Sequence, residues 1–309
     1  MKHRIGLGFA WLLFLLQSLQ AQEPAVSAGK IIRYNNFPSS IIPSREIDVW
    51  LPPGYTETHR YPVLYLHDGQ MLFDSSTTWN HQEWGVDETM GNLLAANRIR
   101  NCIVVGVWNI PERRHREYFP QKAFELLSGA EKKILSDDAR NANSKPLLGD
   151  GPISDNYLKF LTIELKPFID STFSTKKDRK NTFVAGSSMG GLISLYAICE
   201  YPDVFGGAAC LSTHWAGIFR LDNNPLPQAL MQYLREHLPS PKNHLIYFDH
   251  GTATLDALYP SLQKQADAIM KEKGFKSGHW ITRVFEGEDH SERAWKKRLD
   301  IPLLFLLKK

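Results

Sequence analysis

The sequence predicts an α/β protein with a mostly parallel central sheet, helices on both faces of that sheet and antiparallel strands at its N-terminal end. Short apolar runs alternate with helical stretches along most of the chain, which is typical of parallel strands joined by crossover helices. The first two runs have no helix between them, so their strands are expected to pair antiparallel. The predicted strands span residues 47–51, 62–66, 102–107, 181–185, 208–211, 244–248 and 280–285.

Helical periodicity appears between the later strands. In residues 190–201, apolar side chains recur at i, i+3, i+4 and i+7 from Leu192, which places them on one helix face. Residues 109–154 and 213–242 lack this periodicity, and connections of such length are usually lids or binding loops. The predicted helices span residues 155–170, 190–201, 255–274 and 291–307.

Composition bounds the class of protein. The chain has 309 residues, of which 43% are hydrophobic and 22% charged, as in an ordinary globular domain rather than a disordered chain or a coiled coil. The formal net charge is +3, so there is no basic excess of the kind that marks a nucleic-acid partner. Three cysteines cannot form a disulfide framework, and buried free thiols are the expected state.

The first residues have the pattern of a secretory signal peptide. Lys2 and Arg4 precede an apolar run at 5–16, and the small residue Ala21 follows a short polar stretch. That run rises about 18 Å as a helix, well short of the bilayer core of about 30 Å. We therefore expect residues 1–21 to be removed. Residues 22–309 then form one domain, exported to the periplasm or outside the cell and without a membrane partner.

The chemistry is concentrated in a Gly-x-Ser-x-Gly motif. Residues 186–190 read GSSMG, between an apolar run and an amphipathic helix, which is the strand–turn–helix context of a nucleophile elbow. Ser188 is the predicted nucleophile. The backbone N–H of Met189 is the predicted oxyanion donor at the helix start, and the N–H of Gln70, after an early strand, is the predicted second donor.

A serine hydroxyl needs a base, and the base needs an orienting acid. His290 follows the last predicted strand, where its imidazole can reach the nucleophile, whereas His244 and His279 sit at strand entrances. The acid is expected after the strand at 244–248. Asp249 and Asp256 are both open at this point, because either side chain can equally serve a turn or a helix cap.

Four segments resemble the putative-esterase family of α/β-hydrolases. This family includes feruloyl and acetyl-xylan esterases, enterochelin-type esterases, S-formylglutathione hydrolases and mycolyltransferases. The resemblance spans about residues 45–307 and implies an α/β-hydrolase fold, with the family's nucleophile at Ser188, its histidine at His290 and its acid, whose position varies in the family, at Asp256. The four segments are YLHDGQ at 65–70, GSSMGG at 186–191, GTATLD at 251–256 and GEDHSE at 287–292 with Trp295.

The resemblance implies a serine esterase that works through an acyl-enzyme, on acetyl or feruloyl esters of plant polysaccharide, and the signal-peptide pattern implies that it is secreted. A siderophore esterase, an acyltransferase on the same scaffold and a non-enzymatic binding protein are the alternatives. The substrate is expected to be a small-molecule or oligosaccharide ester, with no cofactor and no metal; the oligomeric state stays open. We expect residues 109–154 to cover the site and select the substrate. The expected substrate-binding residues are Trp84, Arg114, Glu117, Tyr118, His214 and Trp215.

Overall fold

A computed structural model describes residues 24–141 and 146–309, and they form an eight-stranded sheet. The strand order across the sheet is β1-β2-β4-β3-β5-β6-β7-β8. Strands β1, β2 and β4 pair antiparallel, and every pair from β4 onward across the sheet is parallel. The strands are β1 (Lys30–Phe37), β2 (Arg45–Leu51), β3 (Val63–His67), β4 (Ile103–Val107), β5 (Thr182–Ser187), β6 (Gly207–Leu211), β7 (Leu245–Gly251) and β8 (Trp280–Phe285).

Helices cover both faces of this sheet, which confirms the predicted fold class. Alternate residues of each strand enter opposite cores: in β3, Val63 and Tyr65 face one core while Leu64 and Leu66 face the other. Helices α1, α10 and α11 cover the second face, and most of the remaining helices cover the first. The helices are α1 (Val86–Ala95), α2 (Arg114–Tyr118), α3 (Gln121–Glu125), α4 (Gly129–Asn141), α5 (Ser154–Lys159), α6 (Lys166–Thr172), α7 (Met189–Glu200), α8 (Leu226–His237), α9 (Pro260–Glu272), α10 (Glu292–Lys296) and α11 (Asp300–Leu306).

Two segments predicted to be irregular contain helices. Residues 109–154 include α2, α3 and α4, and residues 213–242 include α8. The proline in the first turn of α8 does not break it, because the N–H groups of a first turn have no helical partner to lose. Strand β1 was not predicted from the sequence; its side chains are mostly polar or half-exposed, as is usual for an edge strand.

Three further features can be compared with the structure: the cysteines, the predicted signal peptide and possible membrane-spanning helices. All three cysteines (Cys102, Cys199 and Cys210) are buried free thiols, as expected. The predicted signal peptide, residues 1–21, lies outside the described residues. In the part of the chain that is described, no helix has both the length and the apolar character needed to cross a bilayer.

Candidate active site

Ser188 occupies a strained turn between β5 and α7. Its backbone has φ 57° and ψ −121°, a region that side-chain-bearing residues rarely adopt and that costs free energy unless the surroundings enforce it. The glycines of the motif enforce it by close approach: a Cβ on Gly186 would lie 2.7 Å from the carbonyl oxygen of Gly190. This geometry is that of a nucleophile elbow, in which the serine stands at the carboxyl edge of the sheet.

Asp256 and His290 form a hydrogen-bonded pair beside this turn. The Nδ1 of His290 lies 2.5 Å from Oδ1 of Asp256, in the loops after β8 and β7 respectively. The second carboxylate oxygen accepts hydrogen bonds from Ser212 Oγ and from the backbone N–H of Gly251, both at 2.6 Å. Burial acts to raise the pKa of Asp256, but these hydrogen bonds, led by that from His290, hold it below its ordinary value.

The imidazole of His290 is held from several directions. Its backbone N–H donates to Thr254 Oγ1 at 2.9 Å, and its ring packs edge-on against Trp295, with centroids 5.0 Å apart. With Nδ1 bound to Asp256, Nε2 is left for the cavity that both His290 and Ser188 line. Among the described residues, the Ser188 hydroxyl makes no hydrogen bond to His290, a contact that is often long in the absence of substrate.

Asp249, the alternative acid, is hydrogen-bonded to groups other than His290. Its carboxylate is fully buried and accepts hydrogen bonds from Arg298 Nη2 at 3.0 Å, from Tyr247 Oη at 2.9 Å and from the backbone N–H of Ser212 at 3.2 Å. Burial raises its pKa, while Arg298 acts in the opposite direction. The structure thus brings Asp256, and not Asp249, to the imidazole.

The site opens into a cavity of about 640 Å³ at the carboxyl ends of the strands. Aromatic side chains form much of its wall. Trp84 and Trp295 are buried, with ring centroids 5.8 Å apart, whereas Trp79 is 82% exposed on the same cavity. Arg114 lies on the wall as expected, so two of the predicted substrate-binding residues, Trp84 and Arg114, line the cavity.

The loop after β3 lies beside Ser188 and carries Gln70. Asp68 opens this loop in the left-handed conformation, with φ 59°. Its carboxylate is held by Arg114 through two hydrogen bonds of 2.8 and 2.7 Å and by the Asn109 amide at 2.6 Å. Within the described chain, neither the N–H of Gln70 nor that of Met189 donates to a protein acceptor, so both are available to a ligand.

Four other residues expected to bind substrate lie beneath the cavity wall. Glu117 is fully buried because Arg45 and Arg113 both donate to its carboxylate. Trp215 is 1% exposed, with its indole N–H donating to Gln263. The other two, Tyr118 and His214, are equally buried, and none of the four lines the cavity.

The segment 109–154 covers the cavity only in part. Among the described residues of this segment, Asn109, Pro111, Arg114 and His115 line the cavity, whereas Phe119, a few positions later, is fully buried. The prediction that the whole segment covers the site is therefore wrong; only its first residues contribute to the cavity wall.

Several residues that build the site were not predicted from the sequence. Ser212 bridges the two acid networks, accepting from Arg298 Nη2 at 3.0 Å and from Trp295 Nε1 at 2.9 Å. Tyr259 is fully buried, and its hydroxyl lies 2.7 Å from Nδ1 of His214. The only sequence signal for Ser212 is its position directly after a strand end, a weak signal shared by many turn residues.

Comparison with known proteins identifies the family of the chain. The family model described as "Putative esterase" matches residues 39–306. The uncharacterized protein YbbA of Bacillus subtilis is 26% identical over 174 residues, which cover 56% of this chain and 58% of that protein. An endo-1,4-beta-xylanase/feruloyl esterase of Xylanibacter ruminicola is 25% identical over 290 residues, covering 92% of this chain and 32% of that protein. The chain thus spans less than two thirds of either relative's length.

Solved structures share the fold at lower identity. A CE1 ferulic acid esterase from Anaeromyces mucronatus superimposes with a TM-score of 0.61 at 19% identity, covering 92% of each chain. The enterobactin esterase FES from Shigella flexneri gives a TM-score of 0.59 at 18% identity, covering 92% of this chain and 60% of that one. The fold of the present chain is therefore the α/β-hydrolase fold of these esterases.

Proposed function

The chain belongs to the Putative esterase family, and from that premise we propose that it is a serine carboxylic-ester hydrolase whose triad is Ser188, Asp256 and His290. The observation that carries the proposal is that His290 pairs with the buried carboxylate of Asp256 beside Ser188, which is held in a nucleophile elbow. Ser188 and His290 line the same cavity. A carboxylate that accepts from Nδ1 fixes the tautomer in which Nε2 is the base.

In the acylation step, Ser188 Oγ attacks the ester carbonyl while His290 Nε2 takes the hydroxyl proton. The negative charge that develops on the carbonyl oxygen is stabilised by the N–H groups of Met189 and Gln70, which have no other protein acceptor in the described chain. His290 then protonates the departing alcohol. Asp256 stays ionised and stabilises the imidazolium, in keeping with its lowered pKa.

Water completes the cycle. It attacks the acyl carbonyl as its proton passes to His290, the bond from the acyl carbon to Ser188 Oγ breaks, and His290 returns the proton to the serine. An acceptor alcohol in place of water makes the same scaffold an acyltransferase. Time courses with and without acceptor alcohols separate these two outcomes.

Feruloyl or acetyl esters of plant polysaccharide are the proposed substrate class. Aromatic side chains on the wall favour a flat acyl group, since ring stacking adds affinity beyond the buried area. The relative from Xylanibacter ruminicola, whose name includes a feruloyl esterase, agrees with this class. Siderophore esters are the alternative, and a panel of acetyl, feruloyl and siderophore esters ranks the three by kcat/KM.

We also propose that the protein is exported, with cleavage after Ala21. The support is the sequence pattern of residues 1–21 alone. Expression of the full chain in a bacterial host, followed by mass determination of the protein in each compartment, tests it. The full-length mass in the cytoplasm, with none elsewhere, contradicts export.

Ser188→Ala tests the proposed mechanism directly. We expect kcat to fall on the order of 10⁶-fold, the usual loss when a triad nucleophile is removed, and a serine-directed phosphonate to stop labelling the protein. Ser194→Ala is the matched control, since this buried serine of α7 donates to the Gly190 carbonyl at 2.7 Å and does not line the cavity. Turnover and labelling that survive in Ser188→Ala would exclude the serine mechanism.

A further inference from the structure

Ser212 lies directly after β6 and contacts both of the buried aspartates at this end of the sheet. It is fully buried, and its φ of 41° lies in the left-handed region that favours glycine. Its backbone N–H lies 2.8 Å from the carbonyl oxygen of Asp249 and 3.2 Å from Oδ1 of the same residue. The turn that carries the Ser212 side chain is therefore held by the neighbouring strand β7.

Three side chains surround the Ser212 hydroxyl and together fix its direction. Its oxygen lies 2.9 Å from Nε1 of Trp295, 3.0 Å from Nη2 of Arg298 and 2.6 Å from Oδ2 of Asp256. An indole N–H and a guanidinium N–H can only donate, so both acceptor sites of the hydroxyl are occupied. The single hydroxyl proton is left for the carboxylate, at the length of a charge-assisted hydrogen bond. The Ser212 hydroxyl therefore has one partner to which it can donate.

This donation helps to decide which oxygen of Asp256 faces the base. Oδ2 accepts from Ser212 Oγ and from the N–H of Gly251, both at 2.6 Å. Oδ1 is left for Nδ1 of His290, at 2.5 Å. Rotation of the carboxylate about its Cβ–Cγ bond would break both bonds to Oδ2, so those two donors keep Oδ1 directed at the imidazole. Trp295, which donates to Ser212, also packs edge-on against the His290 ring, with centroids 5.0 Å apart.

Arg298 brings a positive charge to this cluster, and Asp249 neutralises it. The Nη2 atom of Arg298 donates to Ser212 Oγ and to Oδ1 of Asp249, each at 3.0 Å. The Arg298 side chain is 3% exposed, and a guanidinium buried to this degree needs a carboxylate partner. Because Asp249 is that partner, Asp256 remains available to His290. A hydroxyl that accepts from a cation is also a stronger donor, since hydrogen bonds in a chain polarise one another.

We propose that Ser212 is a positioning residue, which holds the carboxylate of Asp256 in the orientation that the imidazole of His290 requires. This inference rests on the proposed esterase mechanism. A carboxylate held in this way selects the tautomer with its proton on Nδ1 and leaves Nε2 open to the proton of Ser188. When the imidazolium forms, the carboxylate is already in place to stabilise it. The hydroxyl proton of Ser212 stays on its own oxygen throughout, so Ser212 transfers none.

Ser212→Ala tests the proposal, because it removes the hydroxyl and little else. We expect kcat on a small acetate ester to fall about 10- to 100-fold, as for the loss of one hydrogen bond to a charged group. KM should be unchanged, because Ser212 does not line the cavity. Thr213→Val is the matched control: it removes the buried hydroxyl of the next residue, which donates to the Cys210 carbonyl at 3.2 Å, and should retain full kcat.

Two further variants separate positioning from general stability. The double variant of Ser212→Ala with Asp256→Asn should lose no more kcat than Asp256→Asn alone, because Ser212 acts through that carboxylate. A merely structural role would lower kcat by the same factor in both backgrounds. Ser212→Cys keeps a weak donor and a weak acceptor at this position, so its kcat should lie between those of Ser212→Ala and the wild type. If melting curves show that Ser212→Ala is unfolded, Ser212→Cys replaces it in the same comparison.

Full kcat in the folded Ser212 variant would overturn the proposal, as would losses that multiply in the double variant. An equal loss in Thr213→Val would also overturn it, because that hydroxyl makes no bond to the triad acid. Failure of the esterase mechanism is distinguishable, because it requires Ser188→Ala to remain active. An inactive Ser188→Ala together with a fully active Ser212→Ala removes only the positioning role.

Discussion

One wall of the cavity, the strand-end wall, is built from the turns directly after β5 and β8, whereas another wall, the connecting wall, is built from the connections after β3 and β4. Ser188, Asp256 and His290 follow β5, β7 and β8, and the parallel register brings the carboxyl ends of these strands to one edge. On the connecting wall, Asp68 follows β3 beside Ser188 and meets Arg114, from the connection after β4, through an ion pair of 2.7 Å.

The two walls differ in what holds their side chains in place. At the strand ends, backbone hydrogen bonds of the sheet set the positions, and single side chains change the chemistry without moving the frame. On the connecting wall, a few charged contacts hold the backbone itself. Substitutions should therefore abolish catalysis on the first wall and distort geometry or selectivity on the second.

The largest expected contrast lies within the first wall, between its two buried aspartates. Asp256→Asn should lower kcat on the order of 10⁴-fold while the fold survives, because an amide can donate where the imidazole needs an acceptor and then selects the wrong tautomer. Asp249→Asn should keep most activity but lose about 3 kcal/mol of unfolding free energy, since Arg298 would be left buried without its carboxylate.

Steady-state kinetics and urea unfolding of the two variants measure both halves of this contrast. A crippled kcat in Asp249→Asn with an active Asp256→Asn would reassign the acid. Equal destabilisation of the two variants would mean that Asp249 and Asp256 share one structural network through Ser212, rather than separate roles.

The same contrast explains what the sequence could and could not predict. Ser188 and His290 were predictable because a glycine-spaced motif and a strand end leave few alternatives. The choice between Asp249 and Asp256 was not, because both follow the same predicted strand, at 244–248. It is decided by Arg298, nearly fifty positions later in the chain, whose guanidinium neutralises Asp249. A long-range ion pair has no local sequence pattern.

The connecting wall was less predictable for a related reason. Tyr118, expected to bind substrate, is drawn beneath the surface because its neighbour Glu117 is pulled into the core by Arg45. The segment was expected to cover the site, yet Glu117 pairs inward with Arg45 and is fully buried. Helix α8 was not predicted because residues 213–242 showed little helical periodicity; its proline lies in the first turn, where it is compatible with a helix.

The second prediction concerns removal of the ion pair between Arg114 and Asp68 on the connecting wall. Arg114→Met should lower kcat about tenfold, less than outright loss of an oxyanion donor, because Asp68 anchors the loop that carries the Gln70 N–H. Arg114→Lys should recover only part of this, since an ammonium cannot form the two-bond contact. Arg113→Met is the control: Glu117 keeps its bonds to Arg45, and Arg113 does not line the cavity.

The same variant should show a pH-dependent loss of stability. Burial acts to raise the pKa of Asp68, but Arg114 and Asn109 together hold it below its ordinary value. A carboxyl lowered in this way contributes stability that is present above its unfolded pKa of about 3.9 and is lost as pH falls through the folded value. The gap in unfolding free energy between the wild type and Arg114→Met should stay constant from pH 7 to 5 and narrow below about pH 4.

The smallest expected effect is at the mouth of the cavity, where Trp79 is 82% exposed. A solvent-exposed indole at the rim of the cavity can stack on an aromatic ring of a bound substrate. Such a contact contributes about 0.5–1.5 kcal/mol to the binding free energy. Trp79→Ala should therefore raise KM about threefold for a feruloyl ester of an oligosaccharide and leave kcat/KM for a small acetate ester unchanged.

Ile163→Ala is the matched control for this prediction, because Ile163 is 62% exposed and lies outside the cavity. It removes exposed apolar area away from the cavity and should change neither KM. A KM for the small ester that rises as much as that for the large one would mean that Trp79 shapes the wall around Ser188. The connecting wall would then influence the chemistry of the strand-end wall directly, and the division between the two would not hold.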